Sequence, residues 1–218
     1  MKQRFRKFSM MISVGVLLTV LALLLAYLLS YLQARAHRSP PLPILSNLSD
    51  FNLTNQSGQA TTLANLRDRV WVADIIFTRC PGPCLKMTRQ MKELQDALPA
   101  DSKTRLVTLT TDPDYDTPVI LERFAARFNA DTNRWTFLTG TKKELGALGG
   151  GGLKLTAVEV KPAERTSEND LFIHSTIFAL VDRHGRLRAV FDTTGEGVEW
   201  PAEKEKILAA VRRLEHEP

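Results

Sequence analysis

The stretch VWVADIIF, residues 70–77, is apolar at seven of its eight positions. A strand with one wet face alternates apolar and polar residues; a nearly continuous apolar run marks a strand buried on both faces. Such a strand needs one layer of structure above it and another below. The rest of the chain supplies them. Residues 83–97 carry Leu85, Met87, Met91 and Leu94 at helical spacing, with Leu98 just beyond. RLVTLTT, residues 105–111, is a second buried strand. Thr117-Pro118 opens a helix to about residue 129, with proline at its first position. RWTFLTG is a short strand, and Thr141 with Glu144 makes a capping box for a short helix. LFIHSTIFALVD and LRAVFD flank the turn Arg183-His184-Gly185-Arg186 as an antiparallel hairpin. Pro201 starts a last helix to about residue 215. Residues 51–63 alternate around Ser57-Gly58 as a further hairpin. Four glycines at 149–152 read as a flexible loop, too short for a phosphate cradle. Strands alternating with helices predict an α/β chain: a thioredoxin-like three-layer α/β/α sandwich with an N-terminal hairpin, spanning residues 47–218.

The N-terminal part obeys different rules. Residues 8–32 contain no charge. As a helix rising 1.5 Å per residue, such a run spans a hydrocarbon core of about 30 Å with some tilt. The expected fold is therefore preceded by one transmembrane helix, with Tyr27 and Tyr31 near an interface. Four basic residues precede it and two follow closely, so residues 1–7 are expected in the cytoplasm and the domain on the other side. In a bacterium the anchor then lies in the inner membrane and the domain in the periplasm, where thiols tend to oxidise. A cleaved signal peptide competes, with Ala34-Arg35-Ala36 as cleavage site. Its apolar core is usually only about 7–15 residues, which favours the uncleaved anchor. Residues 33–46, with prolines 40, 41 and 43, read as a semi-rigid tether.

The net charge of +5 belongs to this segment. Six of the 29 basic residues precede Ser39, and none of the 24 acidic residues precedes Asp50. The remainder is close to neutral, which excludes the basic footprint of a nucleic-acid-binding domain.

Both cysteines, Cys80 and Cys84, follow the buried strand in TRCPGPC. At a helix start, backbone N–H groups and the helix dipole favour a thiolate, the form needed for redox chemistry and for metal binding. Placed on one helix face, residues i and i+4 lie about 6 Å apart along the axis. That separation admits a shared metal ion, a thiol-exchange pair or a structural disulfide. The three intervening residues leave room for a metal. So short a loop gains little stability from closure. A metal site needs a third ligand. His37 falls in the tether, His184 in a turn and His216 near the end of the chain. His174 follows the polar loop KPAERTSEND at the start of an apolar strand, and residue chemistry alone favours ordinary packing for it.

VWVADIIFTRCPGPC, TLTTDPDYDTP, RWTFLTG and FIHSTIFALVDRHGRL resemble, in that order, the signature blocks of the Sco/SenC family. The resemblance runs over about residues 45–215. It implies a membrane-anchored copper protein of thioredoxin-like fold, with Cys80, Cys84 and His174 as copper ligands. It further implies delivery of copper to the binuclear copper site of cytochrome c oxidase, or reduction of that site's cysteines. The expected partners are the copper-site subunit or another copper client, and a thiol reductant such as a thioredoxin-like protein. One departure is Leu85, where the family usually has proline. The donor set suits the cargo: thiolate sulfur favours Cu(I), and imidazole also serves Cu(II). Zinc is compatible with the same three ligands plus water.

The competing function is a thiol-disulfide oxidoreductase in which Cys80 attacks and Cys84 resolves. A peroxidase and a copper or redox sensor are further alternatives. Asp74, inside the apolar strand, is a candidate for tuning the thiols; otherwise it marks a locally wet strand end. Met87 is expected in the core rather than on the metal. Asp112, Asp114 and Asp116 lack the glycine and bidentate glutamate of a calcium loop. They read as a polar loop near the cysteines, with Asp116 or Thr117 as helix cap.

Overall fold

The computed structural model describes residues 15–31, 40–80, 82–165, 171–195 and 197–217. The side chains of Pro162 and His174 are outside that description. The chain divides into two compact units, Met1–Pro41 and Leu42–Pro218. In the first, residues 15–31 form helix α1 with exposed leucines along its length. Among the described residues no helix is long and apolar enough to cross a membrane. Residues 8–14 and 32 of the expected anchor, and His37 of the expected tether, lie outside the described residues.

The second unit is built on the predicted buried strand, β4 (Trp71–Ile76), every residue of which is buried. The other strands of its sheet are β1 (Ser46–Asn47), β2 (Asn52–Asn55), β3 (Ala60–Thr62), β5 (Arg105–Thr110), β6 (Trp135–Thr139), β9 (Ile177–Val181) and β10 (Arg186–Asp192). Their order is β1-β10-β9-β4-β5-β6-β2-β3. Strands β4, β5 and β6 are parallel, and β9 runs antiparallel to β4. Helices α3 (Pro83–Ala97), α4 (Pro118–Arg127) and α6 (Trp200–Glu215) cover one face. There Val72, Ile76, Leu106, Phe137 and Phe178 meet Met87, Met91, Phe124 and Ile207. The opposite face of the same strands gathers Trp71, Ala73, Ile75, Val107 and Leu109. It packs on α2 (Leu63–Leu66), α5 (Lys142–Gly146) and the turn Ala147–Leu153. The expected three-layer sandwich and its N-terminal hairpin are present. Thr141 caps α5 as its capping box requires.

Three details differ from the sequence reading. The glycine run is not a flexible loop but part of a wide helical turn with Gly149 and Gly152 buried. A Cβ on Gly152 would stand 2.7 Å from a methyl of Leu48, so a side chain there requires Leu48 to shift. The long apolar segment before the Arg183 turn is two strands: β8 (Phe172–His174) pairs with β7 (Ala157–Glu159) in a separate ribbon, and only β9 enters the main sheet. Finally, residues 42–46, expected in the tether, are part of the domain. Leu42 packs on the core, and Leu45 N donates to Leu187 O at 2.8 Å.

Arg188 holds that entry segment. Its buried guanidinium donates to Leu42 O, to Pro43 O at 3.2 Å, to Asp182 at 2.8 Å and to Glu217 at 2.8 Å. Asp182 also accepts Arg186 Nε at 2.7 Å and the backbone N–H of His184 at 2.9 Å. Burial raises the Asp182 carboxyl, but its hydrogen bonds to Arg188 and Arg186 outweigh that and hold it below the ordinary carboxylate value. Removing one partner of such a cluster strands buried charge. Arg188→Met should therefore lose about 3–5 kcal/mol in urea unfolding; a loss under about 1 kcal/mol would show that residues 42–43 are held otherwise. A depressed carboxyl stabilises the fold above its unfolded value of about 3.9 and ceases to as pH falls through its folded value. The parent should accordingly lose stability below about pH 4 more steeply than Asp182→Asn does.

Candidate metal centre

Phe77 ends the buried run, and its ring packs edge-on against Phe172 at 5.3 Å between centroids. Cys80 N donates to Phe77 O at 3.2 Å, closing a turn before the helix. Helix α3 begins only at Pro83, with Leu85 N donating to Gly82 O at 3.1 Å. The cysteines therefore do not share a helix face as the spacing suggested. Cys80 stands on the turn, and Cys84 lies in the first turn of α3, because Pro83 disfavours helical backbone at the residue before it, and Gly82 there has φ −127° and ψ −99°. Cys80 is 6% exposed and Cys84 fully buried, in the same apolar cluster. Both are thiols. The Cys84 side chain is hydrogen-bonded to that of Cys80 and to the backbone of Phe77.

Burial dominates the electrostatics of Cys84. It pushes the thiol far above its ordinary value, and the Cys80 hydrogen bond and the nearby charges of Cys80 and Asp74 act in the same sense. Only the Phe77 backbone hydrogen bond opposes them. Position at a helix start does not by itself make Cys84 a thiolate, since the desolvation cost of a buried charge outweighs the dipole.

Among the described residues no group of three histidine, cysteine or acidic side chains could hold a metal ion. His174, the expected third ligand, has its backbone at the end of β8, paired with Ala157. Two residues earlier in that strand, Phe172 makes the contact with Phe77. The strand that carries His174 is thus packed against the strand end that leads to Cys80. His184 sits in the β9–β10 turn held by Asp182, and His216 is exposed at the end of α6, so neither joins the cysteines. Met87 is fully buried within the core.

Asp74 is not at a wet strand end. It is fully buried in mid-β4, on the same sheet face as the cysteines' cluster. Thr108, its parallel neighbour on β5, donates to it at 2.6 Å, and Trp135 Nε1 donates to Thr108 at 2.9 Å. This polar chain in a dry layer reaches toward Cys84, consistent with its effect on that thiol. Of Asp116 and Thr117, the expected caps of α4, Thr117 occupies the cap position, but its side chain makes no cap hydrogen bond. Asp116 instead turns inward. It accepts Thr78 N at 3.1 Å, the Thr78 hydroxyl, and the Thr110 hydroxyl at 2.5 Å. Arg79 pairs with Asp112 at 2.5 Å and lies 4.0 Å over the Tyr115 ring. Nothing in the local pattern of TTDPDYDTP distinguishes these inward contacts from an ordinary cap, so Thr78, Arg79, Thr110 and Asp116 were not legible as one group.

The family model for SCO1/SenC matches residues 45–210. A SCO1 protein homolog of Bacillus subtilis (strain 168) is 34% identical over 147 residues, covering 66% of this chain and 73% of the relative. Among solved structures, BsSco is 27% identical with a TM-score of 0.67, over 82% of this chain and all of that one. It is described as a member of the Sco family of cytochrome c oxidase assembly proteins, with a disulfide switch. The structure of Bradyrhizobium japonicum ScoI with copper bound is 22% identical with a TM-score of 0.64, over 78% of this chain and 99% of that one, and shows the shared fold. With a model match over most of its length and a relative above 30% identity, this chain belongs to the SCO1/SenC family.

Proposed function

We propose that this protein binds copper as cargo and serves the assembly of the binuclear copper site of cytochrome c oxidase. The observation that carries the reading is the pair of buried, mutually hydrogen-bonded thiols, Cys80 and Cys84, at the strand end on which the His174 strand packs. Two adjacent sulfurs in an apolar surround suit Cu(I), and an added imidazole suits Cu(II). Cys80, Cys84 and His174 would hold the ion. The buried pair must give up its protons on ligation, so binding copper is coupled to proton release, and giving it up to proton uptake or to oxidation of the thiols. The family membership supports this role, and relatives described with copper bound support the cargo. Residues 8–32 would anchor the protein, with the domain in the bacterial periplasm and a thiol reductant keeping the pair reduced. The partner is a copper-site subunit or another copper client.

A second reading, thiol-disulfide exchange, is favoured by the same thiol–thiol hydrogen bond. Cys80, the more exposed sulfur, would attack a client disulfide, and Cys84 would resolve the mixed disulfide. The two roles are compatible, because a client's cysteines must be reduced before they are metallated.

Anaerobic titration of the reduced protein should give about one copper per chain. His174→Ala should weaken Cu(II) binding at least tenfold and abolish the intense thiolate-to-copper absorption; parent-like binding would overturn the ligand assignment. In the exchange reading, Cys84→Ser should trap a mixed disulfide with a dithiol-derived client peptide, and His174→Ala should leave its formation rate unchanged. Failure to trap any adduct would remove that reading.

A further inference from the structure

We infer that Asp116 is the positioning residue for Cys80, and that through Thr78 it holds the cysteine pair in its dithiol arrangement. This rests on Cys80 and Cys84 acting as a pair, as both functional readings require.

A carboxylate before a helix ordinarily caps it. Here the cap position belongs to Thr117, and both Asp116 oxygens point the other way. Asp116 is fully buried, a costly place for a carboxylate unless donors surround it. Three donors do. Two come from Thr78, its N–H at 3.1 Å and its hydroxyl, and one from the Thr110 hydroxyl at 2.5 Å. Thr78 stands two residues before Cys80, and Thr110 ends β5. The carboxylate thus joins the start of the cysteine turn to the neighbouring strand. Arg79, between Thr78 and Cys80, is drawn to the same loop by Asp112 and Tyr115.

The two sulfurs are held by different means. Cys84 is fixed by α3, where Thr88 Oγ1 donates to its carbonyl at 2.8 Å, and by complete burial in the core. Cys80 precedes the helix, on a turn tied down by side chains from the β5–α4 loop. The distance between the sulfurs is therefore set largely where Thr78 meets Asp116. Oxidation removes two protons and two electrons from the thiols and forms one Sγ–Sγ bond. The partner disulfide breaks and takes up both. Cys80, which stands outside the helix, is the member whose turn would have to shift to make that approach. Contacts that hold its turn in the dithiol arrangement resist the step, and releasing them favours the disulfide.

The test equilibrates the full chain, metal-free in detergent, with mixtures of oxidised and reduced dithiothreitol, and reads the fraction of disulfide. Asp116→Asn should shift the equilibrium toward the disulfide at least tenfold, about 30 mV for two electrons. Thr78→Val, which removes the hydroxyl from the cysteine side, should shift it in the same direction. Thr110→Val removes a donor from the same carboxylate and the acceptor of the Asp112 N–H, but leaves both Thr78 bonds to Asp116 in place, and should keep the equilibrium within twofold of the parent while lowering urea stability comparably. An unshifted Asp116→Asn, or a Thr110→Val that shifts as far as Thr78→Val, would overturn the inference. If Asp116→Asn does not fold, the two threonine variants decide it. No metal enters the measurement, so a protein that binds no copper leaves the result standing, and a negative result leaves the copper reading intact.

Discussion

The parallel pairing of β4 with β5, Ala73 beside Val107 and Asp74 beside Thr108, sets where the rest of the domain can lie. Parallel neighbours end on the same side, so the loop after β4 and the loop after β5 emerge together. The first carries Cys80 and the second carries Asp112 to Asp116. Both strands are buried on both faces, so helices must cover them, and α3 leaves the first loop with Cys84 in its opening turn. The site is a consequence of this pairing. Two segments whose contacts lie 33 to 38 residues apart in the chain become one polar cluster because their strands share a ladder of hydrogen bonds.

The cluster separates two demands that a thiol site makes. The sulfurs sit in an apolar layer with Met87, Phe77 and Phe178, where water competes poorly with a soft ligand. The charged residues that shape the turn stand next to that layer: Asp116 and Asp112 bind Thr78 and Arg79, and Asp74 is bound by Thr108. Burial keeps Cys84 protonated in the absence of metal, against the pull of the helix start. A thiol held this way is unreactive until a metal ion or a base takes its proton.

The fold was legible because its signals are local and redundant. VWVADIIF, short and rich in β-branched and aromatic residues, marks a doubly covered strand, and capping residues, Pro118 and the alternation around Gly58 marked the elements beside it. Where the reading failed, packing had overridden a local signal. Four glycines look flexible, yet Leu48 and Leu155 pack against Gly152 and Gly149 so closely that a Cβ at either position would make its neighbour shift. LFIHSTIFALVD looks like one strand, yet the chain steps from the β7–β8 ribbon to the main sheet at Ser175-Thr176, where Thr193 bonds Thr176 O and Thr156 O takes Ser175 N.

The sequence by itself determined the layer architecture, the uncharged segment at residues 8–32, the cysteine spacing and, through four ordered motifs, the family. Those depend on residue type and periodicity, which are written along the chain. Only the tertiary structure decided that Cys80 precedes the helix while Cys84 lies within it, that burial rather than the dipole governs Cys84, and that Asp116 faces the cysteine turn instead of capping α4. Those depend on which segments the sheet brings side by side and on how much water it excludes, and neither is a property of any short stretch of sequence.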